Sequence, residues 1–229
     1  MRAWWINVYS LGLFGNIMFE PTIALFDQYY RFAGAAQLPG FSKDLGCEVR
    51  ERLQQLDYII NRVKDLEALE ASAFRRSNDA LKAHSAALRA AGIPYESVPA
   101  SPDVTITKEE FASAQKASFE LKLLTESFYY LAGRIRTITK HKSRPLPELG
   151  VFECEGVRNV RNHLLEHAGG SSSQIFIQSF GSGGPNGPVI KAMRYGGQEQ
   201  VFPDVGLYQN AEQFKLNFER VLGSALSRA

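Results

Sequence analysis

Two long stretches of the chain carry apolar residues at helical spacing. Val49, Leu53, Leu56, Ile60 and Val63 alternate steps of four and three, a coiled-coil-like seam, and Leu66, Leu69 and Ala73 continue the stripe. The pattern is helical from Glu48 to about Ala91, with a bend expected near Ser72 or Ser77-Asn78 that splits it in two. A loop follows from Gly92 to Pro102, marked by Pro94, Pro99 and Pro102. The second run opens with Thr107 and Glu110 at capping-box spacing and extends to about Thr139. In it Ala114, Leu121, Phe128 and Ile135 recur every seven residues. Phe111, Ser118, Thr125, Ala132 and Thr139 form a companion row, with Leu124, Leu131 and Ile138 beside it. Such a broad apolar face suits a long helix in an up-and-down bundle. Ahead of both runs, Pro21 fits the first turn of a helix reaching about Ala35, whose Phe26, Tyr29, Tyr30 and Phe32 read as core. Pro39-Gly40 breaks the chain.

The character changes after Ala168-Gly169-Gly170, a helix-terminating sequence. Residues 174–180 and 188–195 have the composition of strands, and the glycine-rich loop between them fits a wide hairpin turn. That loop lacks the Gly-Lys-Ser/Thr ending and the following helix of a phosphate-binding P-loop. Asn210 and Gln213 then suggest the cap of a last helix with Phe214, Phe218, Val221 and Leu222 on its buried stripe. The expected fold class is mainly α: an up-and-down bundle of five or six helices over residues 1–170. Residues 171–229 add a small β-hairpin and a C-terminal helix packed on the bundle.

A length of 229 residues and a hydrophobic content of 45% allow a substantial core. The formal charge of +2 gives no global argument for nucleic acid, so only local basic patches count. Cys47 and Cys154 form no C-x-x-C pair and lie near no spaced histidine cluster. No metal and no cofactor is expected, and a reducing cytoplasm is the simplest setting. Spacing alone leaves a Cys47–Cys154 disulfide open, although both fit as small packed side chains. Residues 3–19 are apolar and aromatic, but Asn7, Ser10 and Asn16 interrupt them and Gly12 and Gly15 weaken a helix. The segment is also shorter than the roughly 20 apolar residues that span a bilayer. It reads as a soluble segment that packs on the body or on a partner, with membrane contact as the lesser alternative.

Chemistry concentrates in Val157–His167, V-R-N-V-R-N-H-L-L-E-H. On a helix with Asn159 at zero, Asn162, His163 and Glu166 fall within about 60° and His167 at about 80°. Val157, Val160 and Leu164 gather on the opposite side, Arg158 borders the polar face, and Arg161 leans toward the apolar one. A histidine can take a proton from a 2′-hydroxyl or give one to a leaving oxygen. A guanidinium can clamp a phosphate and an amide can orient either partner. Just upstream Arg134, Arg136, Lys140, Lys142 and Arg144 occur with no acid between Glu126 and Glu148. They read either as cations complementing a helix C-terminus or as a phosphate track feeding the motif. His141, in the same loop, is an alternative acid or base.

Arg158, Asn159 and His163 match the R-N-x-x-x-H signature, and the stretch thereby resembles HEPN-domain proteins. A second, looser register runs through Arg161, Asn162 and His167. The resemblance covers this motif and a helical context. It implies a compact bundle of mostly antiparallel helices and a metal-independent ribonuclease of toxin, defence or RNA-processing type. It also implies RNA as substrate, a homodimer with two motifs at a shared cleft, and a cognate antitoxin or other partner protein. In that reading Arg158, Asn159 and His163 are catalytic, and Asn162, Glu166 and His167 support them. The competing expectation is a non-catalytic helical scaffold or partner-binding protein, in which Arg158 pairs structurally with Glu155 or Glu166.

Overall fold

The computed structural model describes residues 19–92, 108–141, 143–150, 152–166, 173–178, 187–194 and 205–228. Among them five helices hold most of the chain: α1 (Glu20–Ala35), α2 (Lys43–Ala90), α3 (Lys108–Thr139), α4 (Glu155–Glu166) and α5 (Leu207–Leu226). Three short strands, β1 (Ser173–Gln178), β2 (Val189–Arg194) and β3 (Val205–Gly206), pair antiparallel in that order. Ser173 faces Arg194, and Val189 faces both Gln178 and Gly206. The protein is mainly helical.

The long seams form the long helices. Val49, Leu53, Leu56, Ile60 and Val63 of α2 are fully buried, as are Leu121, Phe128, Ala132 and Ile135 of α3. Two bidentate ion pairs fix how these helices run: Arg62 with Glu120, and Arg134 with Glu48. Numbers rise on one helix as they fall on the other, so α2 and α3 are antiparallel. The remaining helices close the circuit, because α1 packs on α2, α5 on α1, and α4 on both α5 and α3. One continuous core lies inside, from Phe19 through Ala225 of α5. Each large side chain buried there contributes about 1.5–3 kcal/mol relative to exposure.

Two local expectations are corrected. First, α2 is a single helix of 48 residues, about 72 Å at 1.5 Å per residue, with no break at Ser72 or Ser77-Asn78. Serine and asparagine disfavour a helix by less than about 0.7 kcal/mol each, and Ser72 Oγ is satisfied inside the helix by donating to the Leu69 carbonyl. Second, the last helix starts at Leu207, with Gly206 as its N-cap, and Asn210 lies inside it, fully buried. Burial of the adjacent Leu207 and Tyr208 draws that turn into the core.

At the other end, Pro21 occupies the first turn of α1, as expected. The Phe19 backbone N–H donates to Asp57 Oδ1 at 2.7 Å, tying the entry of α1 to α2. Residues 1–18, and with them nearly all of the 3–19 segment, lie outside the described residues, as does Thr107. Among the described residues no helix is long and apolar enough to cross a membrane. Cys47 is exposed and Cys154 buried, and both thiols are free.

Candidate functional site

The segment joining α3 to α4 places the motif helix. Arg144 and Glu148 both have positive φ, at 45° and 64°, and they turn the chain back sharply. The turned segment is held from outside: Tyr29 donates its hydroxyl to the Pro147 carbonyl at 2.6 Å, and the Ser42 N–H donates to the Pro145 carbonyl at 2.9 Å. Leu146, Leu149 and Phe152 are buried along it. Cys154 then caps α4. Its carbonyl accepts the Arg158 N–H at 3.0 Å, the first helical bond. Burial pushes the Cys154 thiol up to about 11.

Val157 and Val160 bury one side of α4 in the core, and Leu164 packs partly against it. Arg158, Asn159 and Asn162 are left half-buried on the remainder. Arg161 lays its aliphatic stem over Gly133 of α3, where any Cβ would collide with it. The backbones of His163 and Glu166 belong to α4, but their side chains lie outside the described residues. His167 and Lys142 lie outside them as well.

The upstream cations are divided between two places. Two residues apart on a helix means about 200° of rotation, so Arg134 and Arg136 leave α3 on opposite sides. Arg134 reaches α2 and holds Glu48 through Nε and Nη2 at 2.8 and 3.0 Å. Arg136 and Lys140 converge instead on Glu153, at 2.8 and 2.5 Å. Arg158 of α4 reaches the same carboxylate at 3.9 Å and Glu155 at 3.7 Å. Arg144 is exposed on the turn. Lys140 and Arg136 together hold the Glu153 carboxyl at about 2, well below the usual carboxylate range. From α5, Asn217 Nδ2 donates to the Glu153 backbone carbonyl at 2.8 Å, and Arg220 donates to Asn217 Oδ1.

Glu153, Asn217 and Arg220 are absent from the sequence-derived site. Glu153 sits five residues ahead of Arg158, and that proximity is the one signal that could have found it. The contact from Asn217 spans 64 residues and left no local trace. His141 stands apart: its Nδ1 is 2.7 Å from Ser143 Oγ and accepts the Ser143 N–H at 3.3 Å, a local turn closure. Among the described residues no group of three or more His, Cys, Asp or Glu could hold a metal ion.

What this arrangement offers chemically is a guanidinium and two amides on one helix, beside two further cations gathered by one carboxylate. Comparison with protein-family models, with curated proteins and with solved structures finds no match to this chain.

Proposed function

We propose that the protein is a metal-independent endoribonuclease of HEPN type, acting in the cytoplasm in a toxin, defence or RNA-processing role. The single observation that supports this most is the convergence of Arg136, Lys140 and Arg158 next to the motif helix. Arg158 clamps the scissile phosphate, Asn159 orients it and His163 serves as general acid or base. The 2′-oxygen forms a new bond to phosphorus as the bond to the 5′-oxygen breaks. The proton lost by the 2′-hydroxyl is balanced by one taken up by the leaving oxygen. The products are a 2′,3′-cyclic phosphate and a 5′-hydroxyl end. This reading takes the bundle as up-and-down, with the hairpin and α5 across the end near α4, and takes a homodimer as the working form.

The test is cleavage of single-stranded RNA in EDTA. Wild type should cleave, and His163→Ala and Arg158→Ala should each lose most of the activity while remaining folded. Absence of cleavage by pure wild-type protein, or full activity in His163→Ala, sinks the reading.

A second reading, a non-catalytic scaffold or partner-binding protein, gains from the ion pairs of Arg158 with Glu153 and Glu155. Exposed Phe119, Leu123 and Tyr130, all on the outer side of α3, also favour it. On that reading His163→Ala alters stability and no activity.

A further inference from the structure

We propose that Arg136, Lys140 and Arg158 form a binding site for a phosphate group of single-stranded RNA, and that Glu153 is its built-in competitor. The choice of RNA as the source of the phosphate rests on the ribonuclease reading above. The self-occupied site itself does not.

Three cations, Arg136 of α3, Lys140 just beyond its end and Arg158 of α4, meet the Glu153 carboxylate, and with Glu155 beside Arg158 these described groups carry a net charge of +1 (three cations, two anions). Arg136 is the most buried of them, with 15% of its side chain exposed, and its Nε is buried without a hydrogen-bond partner. A guanidinium in that position needs an anion opposite it. The anion present is Glu153, whose side chain is 57% exposed and which stands on a short link between helices. It can therefore swing away without disturbing the core. Arg158 makes no true hydrogen bond to Glu153 or Glu155, since 3.9 and 3.7 Å exceed donor–acceptor contact. Its planar fork stands ready for the bidentate geometry that phosphate oxygens offer. A phosphodiester presents more acceptors than Glu153 does and satisfies Arg158 as well. Glu153 thus keeps the buried guanidinium neutralised in the free protein and yields to RNA. Asn217 fixes the Glu153 backbone from α5, so the competing carboxylate pivots from an anchored main chain.

The probe is a fluorescein-labelled 2′-O-methyl oligouridylate, which has no free 2′-hydroxyl and cannot be cleaved by the proposed chemistry. Its binding is followed by anisotropy over a range of salt. Glu153→Gln should bind about tenfold tighter than wild type, with a salt slope steeper by about 0.7 for each additional phosphate neutralised. Glu153→Asp, which keeps the charge but withdraws it, should give a smaller gain. Adding Arg136→Gln to Glu153→Gln should abolish the gain. Glu51→Gln removes the same charge from α2 and should change little. Inorganic phosphate should compete for Glu153→Gln at higher concentration than the oligonucleotide does. Unchanged or weaker binding by Glu153→Gln, a gain that survives Arg136→Gln, or an equal gain in Glu51→Gln overturns the proposal. Tighter phosphate binding with no change for the oligonucleotide overturns the assignment to RNA. Cleavage of an all-ribose substrate separates the two readings. Tighter binding with no cleavage in any variant leaves the site standing and removes the ribonuclease. Cleavage by wild type with no effect of Glu153→Gln does the reverse.

Discussion

Gly156 lies directly against the side chain of Asn210: a methyl group on Gly156 would collide with Asn210 Oδ1, while Nδ2 of the same amide donates to the Tyr129 hydroxyl at 2.8 Å. Asn210 and Tyr129 are fully buried, and Oδ1 has no hydrogen-bond partner. The contact joins α3, α4 and α5 at the first turn of the motif helix. It sets where Glu153 and Arg158 stand, although neither residue takes part in it.

Gly156→Ala should therefore destabilise the fold by about 1–3 kcal/mol through overpacking. Asn210→Ala leaves the buried Tyr129 hydroxyl unpaired, at a cost of about 1–3 kcal/mol. The double variant should cost less than the sum, because removing the amide makes room for the methyl group. Urea unfolding of the four proteins measures this, and strict additivity would show that the two residues do not share the contact.

Glu67 of α2 is buried, with 3% exposed, and its carboxylate accepts the Tyr208 hydroxyl of α5 at 2.5 Å. Burial raises its pKa, opposed in part by the hydrogen bond from Tyr208. A carboxyl raised in the folded state binds more protons folded than unfolded. Its contribution is complete below the ordinary carboxylate value and is lost as pH rises through the folded one. Glu67→Gln keeps an acceptor for Tyr208 and has no charge to bury. It should be more stable than wild type at pH 7, by about 1 kcal/mol as for an imperfectly compensated buried polar group. The advantage should vanish near pH 4. A variant less stable than wild type at pH 7 would mean that the ionised carboxylate is well compensated.

The division of the basic residues predicts unequal effects on oligonucleotide binding. Arg136→Ala and Lys140→Ala should each weaken binding of an uncleavable RNA and reduce the salt slope by about 0.7. Arg134→Ala should change it little, because that guanidinium is committed to Glu48 on another side of α3. Its stability cost should be under about 1 kcal/mol and fall with added salt, as for other exposed ion pairs. Leu121→Ala, in the fully buried row of α3, should cost about 2–5 kcal/mol. Equal losses of RNA binding for Arg134→Ala and Lys140→Ala would contradict the division.

The helical seams were legible because they are periodic. Val49 to Val63, and Ala114, Leu121, Phe128 and Ile135, needed only the spacing of apolar residues to be placed in the core. Phe111, in the companion row, is half exposed because the core ends near Ala114, and a heptad pattern carries no information on where burial stops. Weak local signals failed where packing outweighed them. Ser72 did not break α2, and Asn210 became a buried bridge to Tyr129 instead of a cap. Within the candidate site, Arg158, Asn159 and Asn162 could be placed on one helix from the sequence. That Glu153 gathers cations from α3 and α4 could not, since it depends on the turn at Arg144 and Glu148. Rotation along α3 separates Arg134 from Arg136, which the sequence presents as one run with Lys140.

Cys154 is fully buried just ahead of the motif helix. Its carbonyl accepts the Arg158 N–H at the start of α4, and its burial raises the thiol to about 11 from an ordinary value of 9.0. Under native conditions near pH 8 a thiol reagent should therefore modify one cysteine, the exposed Cys47, and reach Cys154 only after denaturation. Because the folded pKa is raised, the stability it confers is complete below about pH 9 and is lost as pH climbs toward 11. Cys154→Ser nearly keeps the side chain's size and does not ionise in that range. Its stability should lie within about 1 kcal/mol of wild type at pH 7, with a shallower alkaline decline. Cys154→Ala removes a fully buried sulfur from the core and should cost about 1 kcal/mol or more at pH 7. Two thiols modified at equal rates in the native protein, or an alkaline decline as steep in Cys154→Ser as in wild type, would show that the sulfur is not buried.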